Sequence, residues 1–197
     1  MVEDLKFTNA VILIDVPFLS NVITVLKKHF EETLGRALQE VDMSLLVQSI
    51  AFDMGLNTEV PQEIQVLLIY DEMSSKLPYC IPSDLKYQLN EVAFRAMAGE
   101  FSFFSFQPEG FTSTRELFTE SVRILSEAKE VKQLCLVAPI DDKDQEILKA
   151  FEKRPVEQEL TILDMGTAEQ TLPNLSVAKK LLGYVVMEAL GIRGNEV

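Results

Sequence analysis

The chain has little of the residue types that most often carry chemistry: one histidine, His29, and two cysteines, Cys80 and Cys135, among 197 residues. A single imidazole leaves a His-rich zinc site without ligands and gives a Ser-His-Asp triad or a Cys/His pair little support. The two cysteines stand far apart and form no CxxC or other metal spacing. Cys135 lies inside an apolar run and reads as a small core residue, whereas Cys80, in the loop LPYCIP, is open to reading as a reactive thiol. With eight glycines the chain contains no GxGxxG or GxxxxGK[ST] phosphate loop and no GxSxG elbow. No apolar run approaches the ~20 residues that cross a bilayer, and the opening MVEDLKFTN is acidic, so the expectation is a cytoplasmic chain with neither membrane span nor secretory signal. Basic residues are also short, 18 against 31 acids, for a net charge of −13. Such a surface repels phosphate backbones and anionic lipid. The pairs Lys27 and Lys28, and Lys179 and Lys180, read as solvated helix faces rather than a basic patch.

What is present is a globular composition, 47% hydrophobic and 25% charged, in a length that suits one domain over residues 1–197. The stretch that organises it is AVILIDVPFL, Ala10 to Leu19. Val11, Ile12, Leu13 and Ile14 show no polar alternation, which marks a strand covered on both faces, as at the centre of a parallel sheet. Asp15 is that strand's exit residue. In open α/β sheets ligands bind at the carboxyl ends of the strands, so an acid there is either a ligand or base, or the cap of the helix that follows.

Helical periodicity follows over Phe18 to Leu34, ended by Gly35, and again over Val41 to Met54. EIQVLLIY, Glu63 to Tyr70, is a second buried strand that leaves on Asp71 and Glu72. The irregular loop Met73 to Pro82 is expected beside the strand ends as a lid. Residues 84–106 admit two readings: a helix from an N-cap at Ser83 to about Ala98 and then a strand FSFFSF, or a hairpin turning near Ala98 and Gly99. The aromatics of FSFFSF read as core packing rather than as a base-stacking platform in a chain of this charge. A helix capped by Thr112 or Ser113 follows, with Arg115, Glu116, Glu120 and Arg123 on its polar face. Then come a strand Gln133 to Ala138, a helix Gln145 to Lys153, a fifth strand from Glu159 to Leu163, and a last helix at about 176–190. The wide apolar arc of that helix suggests two contact surfaces and hence a homodimer built partly on it. Strands alternating with helices predict a doubly wound, mostly parallel five-stranded sheet with helices on both faces, a three-layer α/β/α domain.

Asp15, Asp71, Asp141 or Asp142, and Asp164 all follow buried strands, and in a parallel sheet every such exit faces one edge. Converging carboxylates without histidine are the ligand set for Mg²⁺ or Mn²⁺, which partner phosphate groups and, as a pair, activate water for phosphodiester hydrolysis. The same acids also suit turns and helix N-caps.

In order of features the chain resembles the NYN branch of the PIN-like nuclease superfamily. AVILIDVPFL is similar to that family's opening strand ending in Asp, EIQVLLIYDE to its second strand ending in Tyr-Asp, and LCLVAPIDDKD to its LVSGDxDF strand. The departures fall at the chemistry. Thr114 stands where the family carries a second essential Asp, with Glu120 the nearest acid to a later family position. Ile140 stands at the first Asp of the fourth-strand motif, and Ala138 and Pro139 replace its Ser-Gly. The resemblance implies a fold more than an activity. If a site is retained, it implies Asp15 and Asp142 as the catalytic metal ligands, with Asp141, Asp144 and Glu120 as substitutes.

Three functions are therefore expected to compete. In the first, the domain has a degenerate acidic site and acts through protein contacts. The second is a Mg²⁺- or Mn²⁺-dependent ribonuclease or phosphoesterase, the only reading that brings RNA as a partner. The third is a small-molecule binding domain with its pocket under the Met73 to Pro82 loop.

Overall fold

A computed structural model of the chain describes residues 6–166 and 177–196. Its first half runs from β1 (Ala10–Asp15) and α1 (Val16–Leu34) through β2 (Val41–Asp42), α2 (Met43–Asp53), β3 (Gln62–Ile69) and β4 (Cys80–Ile81) to β5 (Val92–Ala96). The second continues with β6 (Gly99–Phe106), α3 (Thr114–Glu127), β7 (Gln133–Val137), α4 (Gln145–Lys153), β8 (Glu159–Asp164), β9 (Ala178–Leu181) and α5 (Leu182–Ala189). Among the described residues seven strands form one sheet in the order β5-β6-β3-β1-β7-β8-β9, with β2 and β4 paired separately. Every neighbouring pair in the large sheet is parallel except β5 with β6.

β1 sits at the centre for the reason its sequence suggests. Ala10, Ile12 and Ile14 enter one core with residues of α1, α2 and α5, while Val11 and Leu13 enter a second with Phe118, Val122 and Leu125 of α3 and Ile147 and Phe151 of α4. The alternation of side chains across a strand thus feeds two apolar layers, and the architecture is three-layered, α/β/α.

The five expected strands all lie in the sheet, and two more flank them. β5 belongs to the hairpin reading of residues 84–106: it turns through residues 97–98 into β6, and the expected long helix shrinks to a single wide turn, Leu85–Leu89. The other extra strand is β9. Ala178–Leu181 pairs in parallel with β8, so the expected helix at about 176–190 begins only at Leu182; Ser176 lies outside the described residues. The wide apolar arc of α5 has an internal explanation. Leu182, Val185 and Val186 are buried in the chain's own core, where α5 packs against α1 and α2 and also meets β2 and β8.

Of the two lysine pairs only Lys28 is a solvated residue of a helix face. Lys27 is buried, its Nζ donating to the Leu38 carbonyl at 2.6 Å and to Glu31 at 2.7 Å. Lys179 and Lys180 lie on β9 and pair with Asp164 at 2.7 Å and Asp53 at 3.3 Å. Cys80 is buried, and burial pushes its thiol up to about 12, which removes it as a reactive thiolate at neutral pH. The loop around it is fastened rather than lid-like: Leu77 and Cys80 enter the core, and the Val41 N–H donates to the Tyr79 carbonyl at 2.7 Å.

The register between β3 and β6 depends on Gly99. Its φ is +142°, and a Cβ there would lie 1.9 Å from the Gln62 carbonyl oxygen on the neighbouring strand. Neither the conformation nor the space admits a side chain. Gly99→Ala is expected to destabilise the fold by at least ~2 kcal/mol, a fall in Tm of roughly 4–8 °C for a chain of this size. A thermal melt unchanged from wild type would show that the close approach does not constrain the register.

Candidate functional site

The connections locate a crevice. From β1 the chain steps outward to β3 and β6, then crosses back over the sheet through α3 to β7, on the other side of β1. The direction of winding reverses between β1 and β7, and at such a switch point the loops leaving the two strands diverge and open a cleft at their carboxyl ends. Asp15 closes β1 on one side of it, and residues 138–144 leave β7 on the other. The first turn of α3, with Arg115, enters the same rim.

Asp15 is half-buried. It caps α1, its Oδ1 accepting from the Phe18 N–H at 3.1 Å, with Pro17 in the first turn where its missing N–H is harmless. Burial pushes its carboxyl above the usual aspartate range, opposed by the Phe18 N–H and the charge of Arg115 and reinforced by Asp71. Asp71 closes a reciprocal cap with Ser74: it accepts from the Ser74 N–H at 2.8 Å, and its own N–H donates to Ser74 Oγ at 2.9 Å.

The acids after β7 are similarly engaged. Asp141 Oδ1 accepts from the Lys143 N–H at 2.8 Å, and Asp144 Oδ2 accepts from the Asp141 N–H at 2.9 Å. The other oxygen of Asp144 is held by the Arg115 guanidinium, which also lies 5.7 Å above the Phe118 ring. Asp142 is exposed; its carbonyl accepts from Gln145 Nε2 at 2.6 Å. Asp164, at the end of β8, pairs with Lys179 and accepts from the Gly166 N–H at 2.9 Å. Glu120 lies further along α3, where the Arg123 guanidinium, donating through Nε at 2.8 Å, holds its carboxyl below the usual range.

Asp15 and Asp144 therefore share a rim through Arg115, while Glu120 is spent on Arg123 and Asp142 points to solvent. Among the described residues no group of three or more His, Cys, Asp or Glu side chains is arranged to hold a metal ion. Nor is an imidazole at hand: His29 is about 20 Å along α1 from the rim by helix rise, in edge contact with Phe30.

Arg115 is the residue that sequence periodicity does not single out, because its helical position puts it on the polar face of α3. A signal is nevertheless present. The helix dipole places partial positive charge at the first turn, so a cation there is unfavourable unless an acid faces it.

The buried charge on Asp15 gives a pH dependence. Its folded-state pKa lies above the ordinary 3.8, so the protonated form is the one favoured by folding. That contribution is complete below the ordinary value and is lost as pH rises through the folded one. An amide at this position keeps an acceptor for the Phe18 N–H and has no charge to desolvate. Asp15→Asn is expected to melt above wild type at pH 7, with the gap narrowing as pH falls through the raised folded-state value and gone below the ordinary 3.8. A variant that melts lower at pH 7 would mean that the charge stabilises the fold.

No curated protein and no solved structure matches the chain. A family model does, over residues 4–197, and so nearly the whole sequence belongs to the family of unknown function DUF6621.

Proposed function

We infer that the chain is a PIN/NYN-like domain whose strand-exit acids serve its own structure and which acts through protein contacts rather than by hydrolysis. One observation carries the reading. Asp15, Asp71, Asp141, Asp144 and Asp164 each accept from the chain's own N–H groups, and the positive charge at the crevice comes from Arg115. A carboxylate that ligates Mg²⁺ must present its oxygens to the ion. Here one oxygen of Asp144 is committed to a guanidinium and the other to a backbone N–H. The three-layer sheet with an acid closing its central strand fits the resemblance to the NYN branch. The substitutions at Thr114 and Ile140 fit the loss of its chemistry.

The metal-dependent nuclease is the reading this one displaces, and metal linkage separates them. An ion bound only by the folded state raises stability as its concentration passes Kd. Millimolar Mn²⁺ or Mg²⁺ is expected to leave the Tm of the wild-type protein unchanged. A rise of several degrees that Asp15→Asn removes would restore the nuclease reading.

The face expected for a homodimer is reduced by the burial of α5 to a groove of about 460 Å³ between α1 and α5, where Leu26, Phe30, Leu181, Tyr184 and Met187 meet. Tyr184 stands exposed at its lip. Self-association of copies through this groove belongs to the same reading. Light scattering is expected to give a dimer that Tyr184→Glu reduces to a monomer. A monomer mass for both proteins would remove the groove as a contact surface.

A further inference from the structure

On one side the sheet ends in β5, whose only neighbour is β6. Two residues, Met97 and Ala98, turn the hairpin, so Ala96 and Gly99 bond each other across it. Bonded pairs alternate along an antiparallel ladder. Val92, Phe94 and Ala96 therefore spend their main-chain groups on β6, and Ala93 and Arg95 turn their N–H and C=O groups to the open side. Among the described residues nothing bonds those groups.

The open length is set by its two ends. At Glu91 φ is +60° and the N–H donates to the Phe103 carbonyl at 2.9 Å, so the strand begins in a kink. At the other end the Met97 N–H donates to Gln48 Oε1 of α2 at 3.0 Å. An unpaired edge is a template for another strand, and proteins blunt it with charge or proline. β9, at the opposite margin, carries Lys179 and Lys180 among its four residues. β5, VAFRA, has no proline, and its one charge is neutralised, Arg95 Nε donating to Glu100 Oε2 on β6 at 2.9 Å.

The side chains say what an added strand would carry. Phe94 stacks on the buried Phe101 ring, with centroids 5.0 Å and planes 8° apart, and Phe103 lies at 5.8 Å. Phe94 is nevertheless only half-buried, and Val92 on the same face is exposed. A phenylalanine or branched aliphatic side chain on a strand outside β5 would cover both as cross-strand pairs. The other face holds Ala93 and the Arg95–Glu100 pair, which short uncharged polar residues match. Residues 91–100 hold two acids and one base that is already paired, so the phosphates of a nucleic acid or membrane find no free cation on this hairpin. A second copy brings an edge just as short, and two folded bodies joined over Ala93 to Arg95 alone would bury far less than the ~1,200 Å² of a stable interface. A single extended segment needs only main-chain bonds and contacts from alternate side chains.

We propose that β5 is the docking edge for an extended segment of a partner protein, which joins the sheet as a further strand through the main chain of Ala93 and Arg95 and packs alternate apolar side chains on Val92 and Phe94. The proposal says how the partner binds under the protein-contact reading and rests on that reading.

The probe is a capped, fluorescein-labelled peptide that alternates threonine with valine about a central phenylalanine. Its control is the same peptide N-methylated at every residue, which keeps the side chains but cannot donate. By fluorescence anisotropy the full chain is expected to bind the unmodified peptide about tenfold tighter than the control. Ala93→Pro removes an outward donor without touching a bond to β6, a change an edge strand accepts; its melt is expected to match wild type and its preference between the peptides to be lost. In wild type, amide exchange read by NMR is expected to be fast at Ala93 and Arg95, slow at Phe94, and slowed at least tenfold at Ala93 and Arg95 by saturating peptide. Equal binding of the two peptides, a preference that survives Ala93→Pro, or exchange at Ala93 and Arg95 that the peptide does not slow would each overturn the proposal. So would slow exchange at both residues in the free chain, which would mean the edge is already covered, by a second copy if dilution releases it. A preference lost in Tyr184→Glu would put the peptide in the groove between α1 and α5 and likewise overturn it. These titrations contain no divalent ion, so their failure is distinct from failure of the inert-rim reading, which the Mn²⁺ melt decides.

Discussion

A strand with both faces covered has no place for a charge before its last residue. β1 meets that condition over five residues, Ala10 to Ile14, all fully buried, and Asp15 is the first polar group the chain can place. Because the neighbours run parallel, their ends reach the same edge, and Asp71, Asp141, Asp144 and Asp164 arrive on the rim that Asp15 begins. Acids brought together next to an apolar sheet repel one another and lose hydration, so the fold needs donors there. It supplies them from the backbone, as caps to Phe18, Ser74 and Lys143, and from two cations, Arg115 at Asp144 and Lys179 at Asp164.

The compensation has a structural return. Each acid that caps a turn also fixes the loop leaving its strand, so the edge that would be a mobile mouth in a ligand-binding sheet is held by its own carboxylates. Arg115 links the start of α3 to the loop before α4, and those two helices pack together over the second core. What the edge then offers outward is the set of side chains the turns do not use, and several of those are apolar.

The central sheet was legible because β1, β3, β7 and β8 are largely apolar runs bounded by turn residues, the signature that two-sided burial leaves in the sequence, and β6 is an aromatic-rich run broken by Gln107 to Gly110. The outer strands have no such signature. VAFRA is covered on few sides, and AKKL precedes LGYVVMEA, whose helical spacing extends backward over it. Length and periodicity alone do not part a short edge strand from the helix it adjoins. The acids were legible as residues at strand ends, but their partners were not. Capping by Phe18 or Lys143 is local and could be anticipated, whereas Arg115 with Asp144 and Lys179 with Asp164 join segments that only the fold brings together. Lys27 shows the same limit: one lysine of an adjacent pair is buried because the Leu38 carbonyl and Glu31 lie where its amine can reach them.

The central claim is that the strand-exit rim is neutralised by the protein itself. A crystal structure of the wild-type chain grown in Mn²⁺, with anomalous scattering recorded at the manganese edge, tests it most directly. The account predicts Arg115 on Asp144, Asp15 on the Phe18 N–H, and no anomalous peak between β1 and β7. A peak bridging Asp15 and any acid of residues 141–144, with Arg115 swung aside, would contradict it.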